Sequence, residues 1–559
     1  MRYAFVLLAA CSATPRSSTV AGDAGGFAAA SDAIVAHLHA IEPADAVSQG
    51  LHDFDGKLPD VSPAGLDRAV AQLRADLAQL DQLAPPGVLQ REERAVLRQS
   101  LHERLFNRID LDAYRTNPMT YTGAINLDAY IIRDYAPAAQ RAAAVISLCK
   151  ALPAYLTQAR ANLRPPMPRT WIDTALLQTK GYVDFVDHDI RDQLAPAGVA
   201  ELAPALEACK AALTEHATWL TQQQAQATQA FALGADKFIR MLAETQGVTT
   251  DLAALRVLID ADLKRNLAAM TEAAHAIDPK RPVAEVVAAA AEDKPAADQV
   301  LPEATAQAAM LRKFIVEHDV ITIPTDDVAM VRPSPAFQRW NAAFLDSPGP
   351  FEKTKLPAYY YISPPDPAWP AAEQRAYLPA RADMLFTTVH EVYPGHFIHS
   401  LHMRRNPSRI LQSFWTYSTG EGWAHYAEEM MFDAGAGDHT PKARIGMLKE
   451  ALLRDVRFLV ALGEHTAGMT VDQATQLFRD QAFVDPGNAR RQAVRGTFDP
   501  MYLSYTLGKL MIRKLHTDWL ASHPGASLAA FHDAFLAHGC APIPVIRAAM
   551  LGPQGGPAI

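Results

Sequence analysis

From about Phe27 to Phe314, apolar side chains recur every three or four positions, in segments separated by proline and glycine. The stretches "GLDRAVAQLRADLAQLDQL", "EERAVLRQSLHERLF", "RAAAVISLCKALPAYLTQARANL", "VAELAPALEACKAALTEHATWL" and "DLAALRVLIDADLKRNLAAMTEAAHAI" each lay an apolar stripe along one helical face. A chain patterned this way buries its stripes by packing helix on helix, which predicts a mainly α protein. These helices hold no chemical motif and read as scaffold. "PKRPVAEVVAAAAEDKPAADQV" reads as a linker or a loosely packed helix pair.

Near Val320 the texture changes. "DVITIP" and "LPAYYYISPP" are β-branched or aromatic runs bounded by proline and predict short strands. Prolines around the second run predict an edge position. Past Ala371 helices return over "AYLPARADMLFTTVHEVY", "TGEGWAHYAEEMMFDAG" and "DPMYLSYTLGKLMIRKLHTDWL". At 559 residues the chain can form two or more lobes. The expected division is a leader and tether over 1–26, a helical lobe over 27–314, and a lobe with a small sheet and the chemistry over 315–559. There is no Gly-rich phosphate loop and no G-x-S-x-G elbow. The net charge of −9 is spread without a Lys/Arg stripe, which excludes nucleic acid as the expected partner.

The opening "MRYAFVLLAAC" has an early arginine and an apolar run too short to span a bilayer, the pattern of an export signal. Small residues directly before Cys11 resemble a bacterial lipoprotein processing site. Lipidation at Cys11 is therefore expected, with an ordinary cleaved signal as the alternative. "SATPRSSTVAGDAGG" then serves as a flexible tether. This places the protein in the periplasm or at the outer membrane. No other segment reads as a span, so membrane contact is expected only through the lipid. Cys149, Cys209 and Cys540 form no C-x-x-C; the first two could pair or remain buried thiols.

"HEVYPGHFIH" puts His390, Glu391, His396 and His399 within ten positions. Zinc hydrolases place two histidines four apart on one helical face, as H-E-x-x-H. Six apart, His390 and His396 diverge by roughly 120° on a regular helix. Pro394 and Gly395 break the ladder between them and allow the backbone to swing His396 back. The pattern reads as a two-residue expansion of H-E-x-x-H, with Glu391 as the general base for an attacking water. A catalytic zinc takes three protein ligands, and Glu421 in "TGEGWAHYAEEMM" supplies the third from a second helix. Gly420 and Gly422 are expected to let that helix close on the metal helix. His425 and Glu428, on the face of Glu421, suit a hydrogen-bonding role behind the ligands. His399 and His402 read as solvent-facing or supporting residues.

These residues resemble the bacterial family catalogued as domain of unknown function 885 (DUF885), grouped with the gluzincin metallopeptidases. The likeness rests on His390-Glu391-Val392-Tyr393-Pro394-Gly395-His396, on Glu421-Gly422-Trp423-Ala424 with Tyr426 and Glu428, and on Arg495, Pro500, Tyr505 and Gly508 in "RGTFDPMYLSYTLGKL". It extends to "NPMTYTGAINL" and "LPAYLTQARANL" in the first half. Where the family has a further histidine after Pro-Gly-His, this chain has Phe397. The resemblance implies a helical metallopeptidase holding one Zn²⁺ in a cleft, acting on peptides, with many exported lipoproteins among its members. It also implies an oxyanion-stabilising side chain, for which Tyr505 is the first candidate and Tyr502 the second. Arg495 is a candidate for a substrate carboxylate or a structural ion pair. Two rival readings stand beside this one: an envelope protein with a structural or decayed metal site, and a metal-dependent amidase or esterase. The motifs leave the oligomeric state and the trimmed end of the substrate open.

Overall fold

The repeated apolar stripes fold as helices around two hydrophobic cores. The computed structural model describes residues 24–335, 338–339, 341–552 and 555–559. Cys11 and nearly all of the expected leader and tether lie outside the described residues.

The smaller core is built mainly from α1 (Ala138–Asn162) and α2 (Leu202–Gln223), with Ile172, Phe185 and Val186 packed between them. One expectation is corrected here: α1, at 25 residues, is long and apolar enough to cross a membrane. Its apolar residues Val145, Leu148, Leu152 and Leu156 are instead spent on this core. Cys149 and Cys209 meet across the α1–α2 contact as buried free thiols, and the contact with Cys209 first, then burial, push the Cys149 thiol upward.

The larger core runs from Ile34 to Ile546 and includes α3 (Leu252–Ile277). Leu255, Ile259 and Leu311 lie in it together with Phe386, Trp423 and Phe458, so the expected division at 314/315 runs through a shared core.

Three strands form the sheet: β1 (Ala329–Pro333), β2 (Ala343–Asp346) and β3 (Ala358–Ile362), in the order β1-β3-β2. β1 runs parallel to β3 and β2 antiparallel, with Ala329 opposite Ala358 and Asp346 opposite Tyr359. The expected edge strand is thus central. Its prolines, Pro357, Pro364 and Pro365, flank the ladder without entering it, so no β3 residue lacks an N–H. "DVITIP" is not a strand; Val320 and Ile321 pack into the core from a loop.

Five helices carry the candidate site: α4 (Arg381–Glu391), α5 (His396–Arg405), α6 (Tyr417–Asp433), α7 (Pro441–Thr466) and α8 (Ser504–Ser522). Behind it α3, α7 and α8 are tied by a buried polar network. Lys509, fully buried, donates to Asp262 at 2.7 Å, and Asp455 accepts from Asn266 at 2.7 Å and from Thr506 at 3.1 Å. Buried charges persist where each has a partner of this kind.

Candidate metal centre

The expected single deformed helix is two helices. α4 ends at Glu391 and α5 begins at His396, so one histidine comes from a helix's last turn and the other from the next helix's first residue. The Tyr393–Pro394 peptide in the connection is cis. Gly395 returns its N–H to Val389 at 3.0 Å, and a Cβ there would lie 1.8 Å from the His390 carbonyl oxygen. Only glycine allows that approach. The Trp423 indole on α6 donates to the Pro394 carbonyl at 2.9 Å and fixes the connection from the other side.

The break brings the histidines together. Their ring centroids are 4.8 Å apart and nearly perpendicular, at 88°. Glu421 Oε2 stands 3.3 Å from His390 Nε2 and 3.3 Å from His396 Nε2. That oxygen is buried and takes no well-aligned hydrogen bond of its own. One nitrogen from each histidine and one oxygen from Glu421 lie within 4.8 Å of one another, the one such set of three or more among the described residues. Two imidazoles and a carboxylate, with an orphaned buried oxygen at their common point, fit a divalent cation of the zinc type.

Glu428 holds His390 from behind. Its Oε1 lies 2.6 Å from His390 Nδ1, which orients Nε2 toward Glu421. Arg454 on α7 pairs with Glu428 at 3.1 Å, and His425 Nδ1 lies 3.4 Å from the other carboxylate oxygen. Burial opposes the Glu428 charge, but Arg454, His425 and His390 together outweigh it and hold the carboxyl well below the usual range. Burial and Arg454 lower the His390 pKa, while the Glu421 and Glu428 carboxylates more than compensate and carry it to about 9. A proton and a cation therefore compete for Nε2. His396 is wedged differently, its ring 5.8 Å from Trp415.

Glu391, 9% exposed, sits beside this cluster and accepts a hydrogen bond from the β2 residue Leu345 at 2.8 Å. Burial raises its pKa, and Glu421 adds to that against the two histidines. Such a carboxylate has enhanced affinity for a proton. The Tyr505 ring lies 6.3 Å from that of His390, and burial first, then Glu421, raise its hydroxyl above the ordinary tyrosine range. It stays a protonated donor at neutral pH. Arg495 pairs with Asp499 at 2.8 Å and donates to the Tyr417 hydroxyl at 2.8 Å.

Other expectations are redirected. Gly420 and Gly422 do not face the metal helices: a Cβ on Gly420 would strike Trp415 at 1.9 Å, and one on Gly422 would meet Gly508 of α8 at 2.5 Å. Tyr502 is not brought to the metal cluster; a Cβ on Gly496 would touch both its hydroxyl and Glu464, at 2.4 and 2.2 Å. His399 is fully buried, with Nε2 at 2.9 Å from the Gly539 carbonyl, and is not solvent-facing. His402 Nε2 lies 2.9 Å from the Thr322 carbonyl. The sequence reading missed Arg454, Arg457, Tyr417 and Trp415. A signal for the arginines was present, since "ALLRDVRFLVAL" sets two arginines three apart, around Asp455, between apolar runs.

No curated protein matches the chain. Two solved structures share the fold. A candidate lipoprotein of unknown function from Shewanella oneidensis is 24% identical, with a TM-score of 0.79 over 94% of this chain and 99% of its own. A second candidate lipoprotein, from Colwellia psychrerythraea, is 16% identical, with a TM-score of 0.80 over 95% and 99%. The model of the family described as bacterial protein of unknown function, DUF885, matches residues 43–550. The chain belongs to the DUF885 family.

Proposed function

We propose that this protein is an exported zinc peptidase that hydrolyses peptide bonds with Glu391 as its general base. The observation that carries the reading is the convergence of His390, His396 and Glu421 within 4.8 Å, with the Glu391 carboxylate beside them. A divalent cation such as Zn²⁺ held by those three residues supplies Lewis acidity toward a scissile carbonyl and a water molecule. Glu391 accepts the proton of the attacking water and passes it to the departing amine nitrogen. Its hydrogen bond from Leu345 fixes one carboxylate oxygen and leaves the other to carry the proton. The Tyr505 hydroxyl donates toward the oxygen that gains charge in the tetrahedral intermediate. Glu428 and Arg454 keep the His390 ring in place throughout. Export and lipid attachment at Cys11 belong to the same proposal and are checked by the mass of the mature N-terminus.

The test is digestion of a peptide pool by purified protein of known zinc content, read by mass spectrometry beside Glu391→Gln. The expected result is cleavage by the parent and a rate lower by about 10²–10⁴ in the variant, with zinc content unchanged. Cleavage of no peptide, or equal cleavage by the variant, rejects the reading.

A further inference from the structure

One wall of the metal centre is lined with arginines, and one of them has no acid to answer it. The guanidinium carbons of Arg454 and Arg457, one turn apart on α7, stand 5.5 and 4.8 Å from the centre of the Tyr505 ring. Arg495 reaches the hydroxyl of that same tyrosine. The ring itself is 6.3 Å from that of His390, and Arg454 also reaches His390 Nδ1 directly, at 3.3 Å. Two of the three arginines are neutralised. Arg454 pairs with Glu428 at 3.1 Å and Glu450 at 2.5 Å, and Arg495 pairs with Asp499 at 2.8 Å.

Arg457 differs. Among the described residues its one protein hydrogen bond goes from Nε to the neutral amide oxygen of Gln492 at 2.9 Å. The side chain has no carboxylate partner among the described residues, although only 7% of the residue is exposed. Among the described residues its two terminal nitrogens take no protein hydrogen bond. Burial disfavours the charge, and so do Arg495 and Arg454. A planar fork of donors, buried and left unanswered next to a reaction centre, has the shape and charge of a carboxylate receptor.

We infer that Arg457 binds the substrate's terminal carboxylate one residue beyond the scissile bond, so that the enzyme removes single residues from the carboxy end of a peptide. The inference rests on the peptidase reading above. The spacing agrees with it. One residue advances an extended chain by about 3.5 Å, and a polar contact at each end adds about 3 Å. That reach is comparable to the two distances from the Tyr505 ring centre, 4.8 Å to Arg457 and 6.3 Å to His390, taken together. Tyr417, whose ring meets that of Tyr505 edge-on at 5.7 Å, carries Arg495 on its hydroxyl and closes the same wall. A carboxylate on an acidic side chain has the same chemistry, and the experiment separates the two sources.

Binding is measured first, by calorimetry on the metal-loaded full chain with N-acetylphenylalanine and with its amide. The acid is expected to bind at least tenfold more tightly than the amide, and Arg457→Gln to erase the difference, while Arg457→Lys keeps part of it. Equal binding of acid and amide by the parent protein overturns the inference and needs no variant to fold. A preference that survives Arg457→Gln in a protein of parental helicity overturns it too. Cleavage is measured next, on one peptide as free acid, as amide, and as an amide ending in glutamate. Loss of one residue from the free acid, at least 100-fold faster than from either amide, supports it. Equal cleavage of acid and plain amide overturns it and leaves the peptidase reading standing. Rapid cleavage of the glutamate amide alone overturns the assignment to the chain terminus. Cleavage of none, with the acid preference intact, retires the peptidase reading and keeps the carboxylate site.

Discussion

At the scale of single residues, the candidate centre separates groups that hold a cation from groups that hold the holders. His396 offers Nε2 directly, whereas Glu428 acts only through His390. The two should fail differently. His396→Ala is expected to abolish stoichiometric zinc, read by elemental analysis of the purified protein. Glu428→Gln is expected to weaken zinc about 10- to 100-fold and to leave the stoichiometry reachable at higher zinc. Stoichiometric tight zinc in His396→Ala would remove that residue from the ligand set. The sequence made the two candidate histidine ligands legible because their residue type and the Pro-Gly pair occur together in seven positions. It did not make Arg457 legible. A lone buried arginine acquires meaning only from which acids surround it, and those lie far away along the chain.

At the scale of elements, helices could be read from their periodicity, because a stripe three or four residues apart is a local signal. The helix reading over "AYLPARADMLFTTVHEVY" erred at Pro379, which separates the helix Ala371–Tyr377 from α4. Strand order was not legible. β2 has only four residues, Ala343–Asp346, and its place beside β3 is decided by tertiary packing. Nor could the partner of Gly422 be read, since Gly508 lies far along the chain. Gly422→Ala tests that contact: a methyl group 2.5 Å from the Gly508 Cα has backbone on its far side and cannot turn away. The expected cost is about 1–3 kcal/mol of stability with loss of zinc affinity, measured by denaturant unfolding and metal titration. An unchanged unfolding midpoint would contradict the close packing of α6 on α8.

At the scale of the whole molecule, one buried acid should impress a pH dependence on stability. Glu464 is 1% exposed, both its carboxylate oxygens lack a hydrogen bond, and burial pushes its pKa up to about 8. The unfolded chain ionises this group near pH 4.5. The folded state therefore binds the extra proton between those values, and stability falls as pH rises from about 4.5 to 8. At pH 7 the loss is about 3 kcal/mol. Glu464→Gln keeps the shape of the neutral acid, so it should match the parent near pH 4.5 and exceed it in melting temperature at pH 8. Parallel melting profiles would refute the buried-acid account. The same long-range packing governs how force can travel through the protein. Gly422 against Gly508 welds α6 to α8, so Glu421, the carboxylate proposed as a ligand, and the Tyr505 phenol ride on one stiff frame. The proposed base has a further mooring: Glu391 is tethered to the backbone of a four-residue border strand. A load on that strand reaches Glu391 first and, through the last turn of α4, its neighbour His390.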